Sequence, residues 1–158
     1  MRCEIAVDIE SGPDHVWAVL TDLTRWPRWT GAVRDASVVG GAALALHGVV
    51  RLRTPRLPQR TFRVTEYQAR RYRFTLHGEG FGGQARVRFA LTAPDAGGRT
   101  RLLVTHDRAG WFGSPMSRLR ARTVDAQLQT LADDLKEHCE TRRRSSVTVT
   151  TGEGSAVG

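Results

Sequence analysis

The sequence predicts an α+β fold in which a curved seven-stranded antiparallel sheet wraps around a long C-terminal helix, with two short helices between strands 1 and 2. Three observations predict it. Apolar and polar residues alternate at period two near the N-terminus and again over residues 33–108. Helical spacing replaces that period after Pro13 and after Pro115. Clusters of Gly and Pro separate the alternating runs, as short hairpins require. At 158 residues the chain suits one domain with one core.

In the first run, Ile5, Val7 and Ile9 form one face and Glu4, Asp8 and Glu10 the other, a half-buried strand. Ser11, Pro13 and Asp14 then mark a helix start, and Val16, Trp17, Leu20 and Leu23 repeat at helical spacing. A second short helical turn is predicted over 24–29, capped by Thr24. Six further strands follow as a meander. Leu44, Leu46, Val50 and Leu52 share a parity, with Gly48 as a bulge or close approach. Phe62 and Val64 share the next, then Tyr72, Phe74 and Leu76, then Val87, Phe89 and Leu91, then Leu102, Val104 and His106. Turn chemistry at 40–41, 55–58, 69–70, 78–83 and 94–98 separates them.

Ser114 and Pro115 open the last helix, where Leu119, Val124, Leu128, Leu131 and Leu135 fall near one face. From Arg142 the pattern stops. Residues 1–141 are therefore expected to form the domain, and 142–158, basic and then Ser-, Thr- and Gly-rich, a disordered tail.

The composition narrows the function. Of 24 Lys and Arg residues only Lys136 is a lysine, against 16 acidic residues and a net charge of +8. An arginine preference alongside abundant Ala, Gly and Val reads as codon bias of a GC-rich genome. The arginines scatter over strands, loops and tail without interleaved aromatics, which argues against a nucleic-acid partner. No apolar run is long enough to span a bilayer, and the first residues lack the apolar core of a signal peptide, so the expected compartment is the cytoplasm, with no membrane partner. Cys3 and Cys139 lack metal-ligand spacing and read as reduced thiols, a staple between first strand and last helix being the alternative. His47 and His77 fall on outward parities and Glu79 in a turn, so no metal site is expected. Neither a nucleophile elbow nor a phosphate or dinucleotide loop is present, and no cofactor is expected.

A sheet curled around a helix leaves an apolar gap where the helix side chains cannot fill it. His106 shares the inward parity of Leu102 and Val104, and an imidazole there exchanges protons near neutral pH; a hydrogen-bonded core histidine is the alternative. Arg108 shares that parity and could hold a carboxylate or enolate oxygen, or simply be solvated. On the last helix Met116, Arg120, Thr123 and Gln127 form one face, either towards the gap or as a surface stripe. Trp29 and Trp111 lie in the segments expected to frame the entrance, while Trp26 is read as a core plug. Tyr72, Phe74, Phe89 and Val104 complete the candidate ligand wall from inward parities. The outward parities carry Arg51, Arg53, Arg63, Arg73, Arg86, Arg88 and Arg101, a solvated face or a docking surface for an acidic partner.

The element order and several strings resemble the START-like (SRPBCC) superfamily of helix-grip proteins, in particular its bacterial polyketide cyclase/dehydrase-like members. The strings are Ile9-Glu10, Pro13-Asp14-His15-Val16-Trp17, Leu20-Thr21-Asp22, Trp26-Pro27-Arg28-Trp29, Arg63-Val64-Thr65-Glu66, the glycines of 78–83, and Gly98-Arg99-Thr100-Arg101-Leu102. The resemblance covers roughly residues 3–141. It implies a helix-grip fold holding a small apolar or polyketide-like ligand, and cofactor-independent cyclase, aromatase or dehydratase chemistry in making a secondary metabolite. It also implies an acyl carrier protein as a possible partner, and a monomer or homodimer. A non-catalytic carrier or sensor of an apolar ligand, and an interaction module with a filled cavity, are the other two readings.

Overall fold

The computed structural model describes residues 2–41, 43–80, 83–93, 98–110 and 115–151, with the side chains of 80, 109–110, 116–117 and 143–151 left aside. The strands are β1 (Arg2–Ile9), β2 (Asp35–Val38), β3 (Val49–Arg53), β4 (Arg60–Gln68), β5 (Arg73–Gly80), β6 (Gly83–Thr92) and β7 (Thr100–Gly110). They form one sheet in the order β1-β7-β6-β5-β4-β3-β2, every neighbouring pair antiparallel. Helices α1 (Pro13–Thr21) and α2 (Trp26–Trp29) connect β1 to β2, and so carry the chain from one edge of the sheet to the other. Helix α3 (Pro115–Thr151) lies across the concave face, with contacts to β1, β7, α1 and α2. The predicted α+β helix-grip architecture is what the chain adopts.

Period-two burial explains the sheet. Ile5, Val104, Phe89 and Phe74 face each other across successive strands, and all four are buried. A bulge between Val64 and Glu66 breaks the β4–β5 register and bends the sheet towards α3. The stripe Ala121, Leu128, Leu131, Ala132, Leu135 and Cys139 buries one face of α3 at three- and four-residue steps. Its far end is tied to β1, where Lys136 Nζ donates to the Asp8 carbonyl (2.9 Å) and Glu10 N–H to Glu140 Oε1 (3.0 Å). Thr30 Oγ1 donates to Asp134 Oδ2 (2.7 Å) and fixes the end of α2.

Several expectations need correction. Leu44 and Leu46 are not in a strand: residues 43–48 turn back, Gly48 N–H bonds the Ala45 carbonyl, and His47 takes φ +66°. Gly48 is the expected close approach, since a Cβ there would lie 2.9 Å from that carbonyl oxygen. Glu79 is in β5 opposite Gln84 rather than in a turn. The N-cap of α1 is Gly12, without a side-chain bond, while the Ser11 carbonyl accepts from Thr100 Oγ1. Thr24 bonds Asp22 within a 3-10 turn and caps nothing. Helix α3 runs on to Thr151, past the point near Arg142 where its apolar pattern stops. Residues 152–158 of the expected tail lie outside the described residues.

On the convex face Arg88 is held by Glu66 (Nη2 to Oε2 3.0 Å) and Arg101 by Asp8 (Nε to Oδ1 2.9 Å), so these two arginines are neutralised across strands. Arg51, Arg53, Arg63 and Arg86 are exposed, and no carboxylate pairs with them among the described residues.

Candidate functional site

The concave face is filled unevenly. At one end Trp17 of α1 packs against Tyr67, Tyr72 and Phe74 with ring centroids 5.8–5.9 Å apart. In the middle Trp26 meets Phe89 at 6.0 Å, and its indole N–H donates to the Leu20 carbonyl (3.0 Å). Beyond Trp26 the inward positions of β5 and β6 shrink to Gly78 and Ala85, which face each other in register. The Phe62 ring lies flat on Gly78, 2.7 Å from where a Cβ would stand, so no larger residue fits beneath it. Small residues on the sheet leave a cavity of about 90 Å³ beneath Val124, Gln127, Leu128 and Leu131 of α3, lined also from β3, β4, β5, β6, β7 and α2. Leu57 and Pro58 of the β3–β4 connection also line it. Apart from Trp26, the polar side chains in its wall are Thr54, Arg60, His106 and Gln127.

His106 is 2% exposed, and its Nδ1 lies 2.9 Å from Asp125 Oδ1 on α3. A carboxylate in that position selects the tautomer with the proton on Nδ1 and leaves Nε2 as the basic nitrogen. The thiol of Cys3, register partner of His106 on β1, donates to the same carboxylate. Burial pushes the His106 pKa below the usual imidazole range; Asp125 opposes the shift, and Arg108 and Arg60 reinforce it. The ring is therefore neutral at neutral pH. Burial and the neighbouring Asp125 also push the Cys3 thiol up, so it is a hydrogen-bond donor rather than a nucleophile. Cys139 is buried, with its pKa raised to about 11, and lies about 20 Å further along α3. Both cysteines are free thiols, and the staple is ruled out.

A histidine whose pKa is depressed by folding stabilises the fold above the unfolded pKa of about 6.5, and this is lost as pH falls through the folded value. His138 is shifted the same way by burial, Arg142 and His15. In a His138→Gln background, the Tm should fall between pH 7 and pH 5, and His106→Gln should remove part of that fall. Equal slopes with and without His106 would show that it does not titrate differently on folding.

Phe89, His106 and Gln127 of the sequence-predicted set line the cavity together. Others lie elsewhere. Tyr72 has left its strand, at φ +52° after a 3-10 turn, and its hydroxyl donates to Asp14, so it faces α1. Phe74 stacks behind Phe89 (4.9 Å), and Val104 is buried opposite Ile5. Trp29 stacks on His138 of α3 (6.0 Å) rather than framing the mouth. Thr123 turns back to the Leu119 carbonyl, and Arg120 is exposed one helical turn before Val124, a cavity residue. Arg108 is half-buried two residues past His106 and acts on it through its charge. Trp111 and the side chain of Met116 lie outside the described residues. Sequence reasoning missed Asp125 and Arg60. Each left a signal: Asp125 falls on the buried stripe between Ala121 and Leu128, and Arg60 shares the parity of Phe62.

Among the described residues no group of His, Cys, Asp and Glu is arranged to hold a metal, and no helix is long and apolar enough to cross a membrane. The sequence profile described as "Polyketide cyclase / dehydrase and lipid transport" matches residues 2–140. The chain belongs to this family. Its fold recurs in solved structures. The Zhui aromatase/cyclase from Streptomyces sp. R1128 is 17% identical with a TM-score of 0.77, over 92% of this chain and 97% of that one. A START superfamily protein from Mycobacterium smegmatis is 15% identical with a TM-score of 0.68, over 89% and 97%. The di-domain ARO/CYC BexL from the BE-7585A biosynthetic pathway is 15% identical with a TM-score of 0.69, over 87% of this chain but 45% of its own. No protein of curated function matches the chain. At these identities this polyketide cyclase/dehydrase family member shares a fold with its neighbours, and its chemistry rests on its own residues.

Proposed function

We propose that the chain is a cofactor-independent cyclase or dehydratase that folds a small poly-β-carbonyl molecule in its apolar cavity. The observation that carries this reading is the His106–Asp125 pair at 2.9 Å, with His106 in the cavity wall. His106 Nε2 removes the acidic proton from a carbon between two carbonyls, and Asp125 stabilises the imidazolium that forms. Arg60, in the same wall, supports the enolate oxygen. The enolate carbon attacks a second carbonyl of the same molecule, forming one carbon–carbon bond, and the alkoxide takes the proton back. Removal of a second proton from the same carbon with departure of the hydroxyl as water completes a dehydration, with no net redox change. The apolar wall excludes water from the enolate and constrains the chain to a reactive fold.

Delivery by an acidic carrier protein belongs to this proposal, and the exposed Arg51, Arg53, Arg63 and Arg86 on the convex face support it. A non-catalytic carrier is the second reading, favoured by a cavity wall with few polar side chains.

Incubating the purified chain with a short poly-β-carbonyl thioester and following it by mass spectrometry distinguishes the two. Cyclisation with loss of one water, faster than in buffer, is expected. Binding seen by Trp26 emission with the thioester recovered unchanged would make the chain a carrier.

A further inference from the structure

The cavity wall holds hydrogen-bond donors, Arg60 and Thr54, without a side-chain acceptor among the described residues. Arg60 opens β4 opposite Leu52, on the concave parity, with its guanidinium 5.8 Å from the Phe62 ring centre. Arg120 lies on the continuation of the cavity-lining stripe Val124, Leu128 and Leu131, one turn nearer the start of α3. The two guanidinium groups repel each other, and burial of Arg60 adds to the cost of its charge. An arginine does not escape such a cost by losing its proton in any ordinary pH range. Among the described residues no carboxylate pairs with either. Asp125, the partner of the lining residue His106, is committed to His106 and Cys3. Thr54, two residues past Leu52 and also in the wall, has a hydroxyl shielded from solvent and without a hydrogen-bond partner among the described residues.

A partly buried charge with a like charge near it and an unsatisfied hydroxyl in the same wall are costly unless something negative sits by them. We infer that the cavity takes an amphipathic carboxylic acid, its short apolar body among the apolar lining and its carboxylate held by Arg60 and Thr54 of the wall, with the charge of Arg120 beside it. A planar carboxylate fits the fork of one guanidinium and leaves lone pairs for the hydroxyl and the second arginine. A body about the size of a short alkyl chain suits a cavity of about 90 Å³. A thioester has no charge at that end, so this contact is made by a free acid and not by a chain still tethered to a carrier. The inference rests on the reading of the cavity as a ligand site, and it names the class of ligand.

Hexanoate and hexanamide, alike in shape, test it by calorimetric titration of the full chain, with inorganic phosphate as an anion lacking a body. Hexanoate should bind about ten- to a hundredfold more tightly than hexanamide, the worth of a charge-assisted hydrogen bond. Raising the salt concentration should shrink that advantage. Arg60→Gln should remove most of it and Arg120→Gln part of it, with hexanamide binding unchanged in Arg120→Gln. Arg120 is exposed, so its variant carries the test even where Arg60→Gln fails to fold. Equal binding of acid and amide overturns the inference and leaves the ligand cavity standing, as does an advantage untouched in Arg120→Gln. Phosphate that displaces hexanoate at equal concentration also overturns it, since the arginines would then form a general anion patch. If neither hexanoate nor hexanamide binds, the cavity reading itself fails and the inference with it.

Discussion

His106→Gln is expected to lower turnover by about a hundredfold or more while the fold and ligand affinity persist. A glutamine amide can still donate to Asp125, so the link between β7 and α3 survives, but an amide nitrogen has no basic lone pair. The loss should appear in kcat, because the imidazole acts on the proton in flight rather than on the bound ligand. The wild-type rate should be flat from neutral pH upwards and fall in acid, with the apparent pKa below the ordinary imidazole value, since burial disfavours the charged ring. Asp125→Asn should cost less, because an amide carbonyl still accepts from Nδ1–H but no longer offsets the imidazolium charge. If His106→Gln loses only melting temperature and the rate stays level, His106 is a core residue and the catalytic reading loses its support.

Trp26→Ala should cost about 3–5 kcal/mol of stability, read from urea denaturation. The side chain is 1% exposed and joins three parts of the molecule: its ring meets Trp29 of the same helix and Phe89 of β6, and its N–H satisfies the Leu20 carbonyl at the end of α1. Alanine leaves that carbonyl without its donor and opens a void next to the cavity. Against a total of about 5–15 kcal/mol for a domain, this removes a large share. A void beside the cavity should also admit a longer ligand than the wild type does. A cost below about 1 kcal/mol would mean that α2 rearranges around the gap and that Trp26 does not fix the cavity's inner end.

Much of the fold was legible because period and burial are tied together. Where Val87, Phe89 and Leu91 alternate the strand is real, and where Leu128, Leu131 and Leu135 recur the helix is real. The same signal misled at Leu44 and Leu46, whose parity matches that of β3 although a turn separates them from it. It misled again at Tyr72, since periodicity carries no information about a positive φ. The site was harder to read. Parity says that Phe74, Phe89 and Val104 all face inward, and they do. Which of them meets empty space depends on how far Trp17 and Trp26 reach across the sheet and on the small volumes of Gly78 and Ala85. Those are facts about distant elements meeting. Asp125 was passed over because a charged residue on an apolar stripe looks like a boundary of the stripe until its histidine partner is known to stand 2.9 Å away.

The strand order sets the timetable of assembly. β2 to β7 are joined by short connections and can pair as each hairpin is made. β1 pairs only with β7, Ile9 opposite Thr100 and Cys3 opposite His106, so the first strand synthesised waits for the last. Until then its apolar face and one free edge of the nascent sheet are open to other chains, which is the condition chaperones recognise. Pairing the two ends raises the mean sequence separation of the contacts, and such topologies fold slowly. The same late event brings Cys3 beside His106. The His106–Asp125 pair needs α3 as well, the last element of the chain, so a partly made chain lacks it.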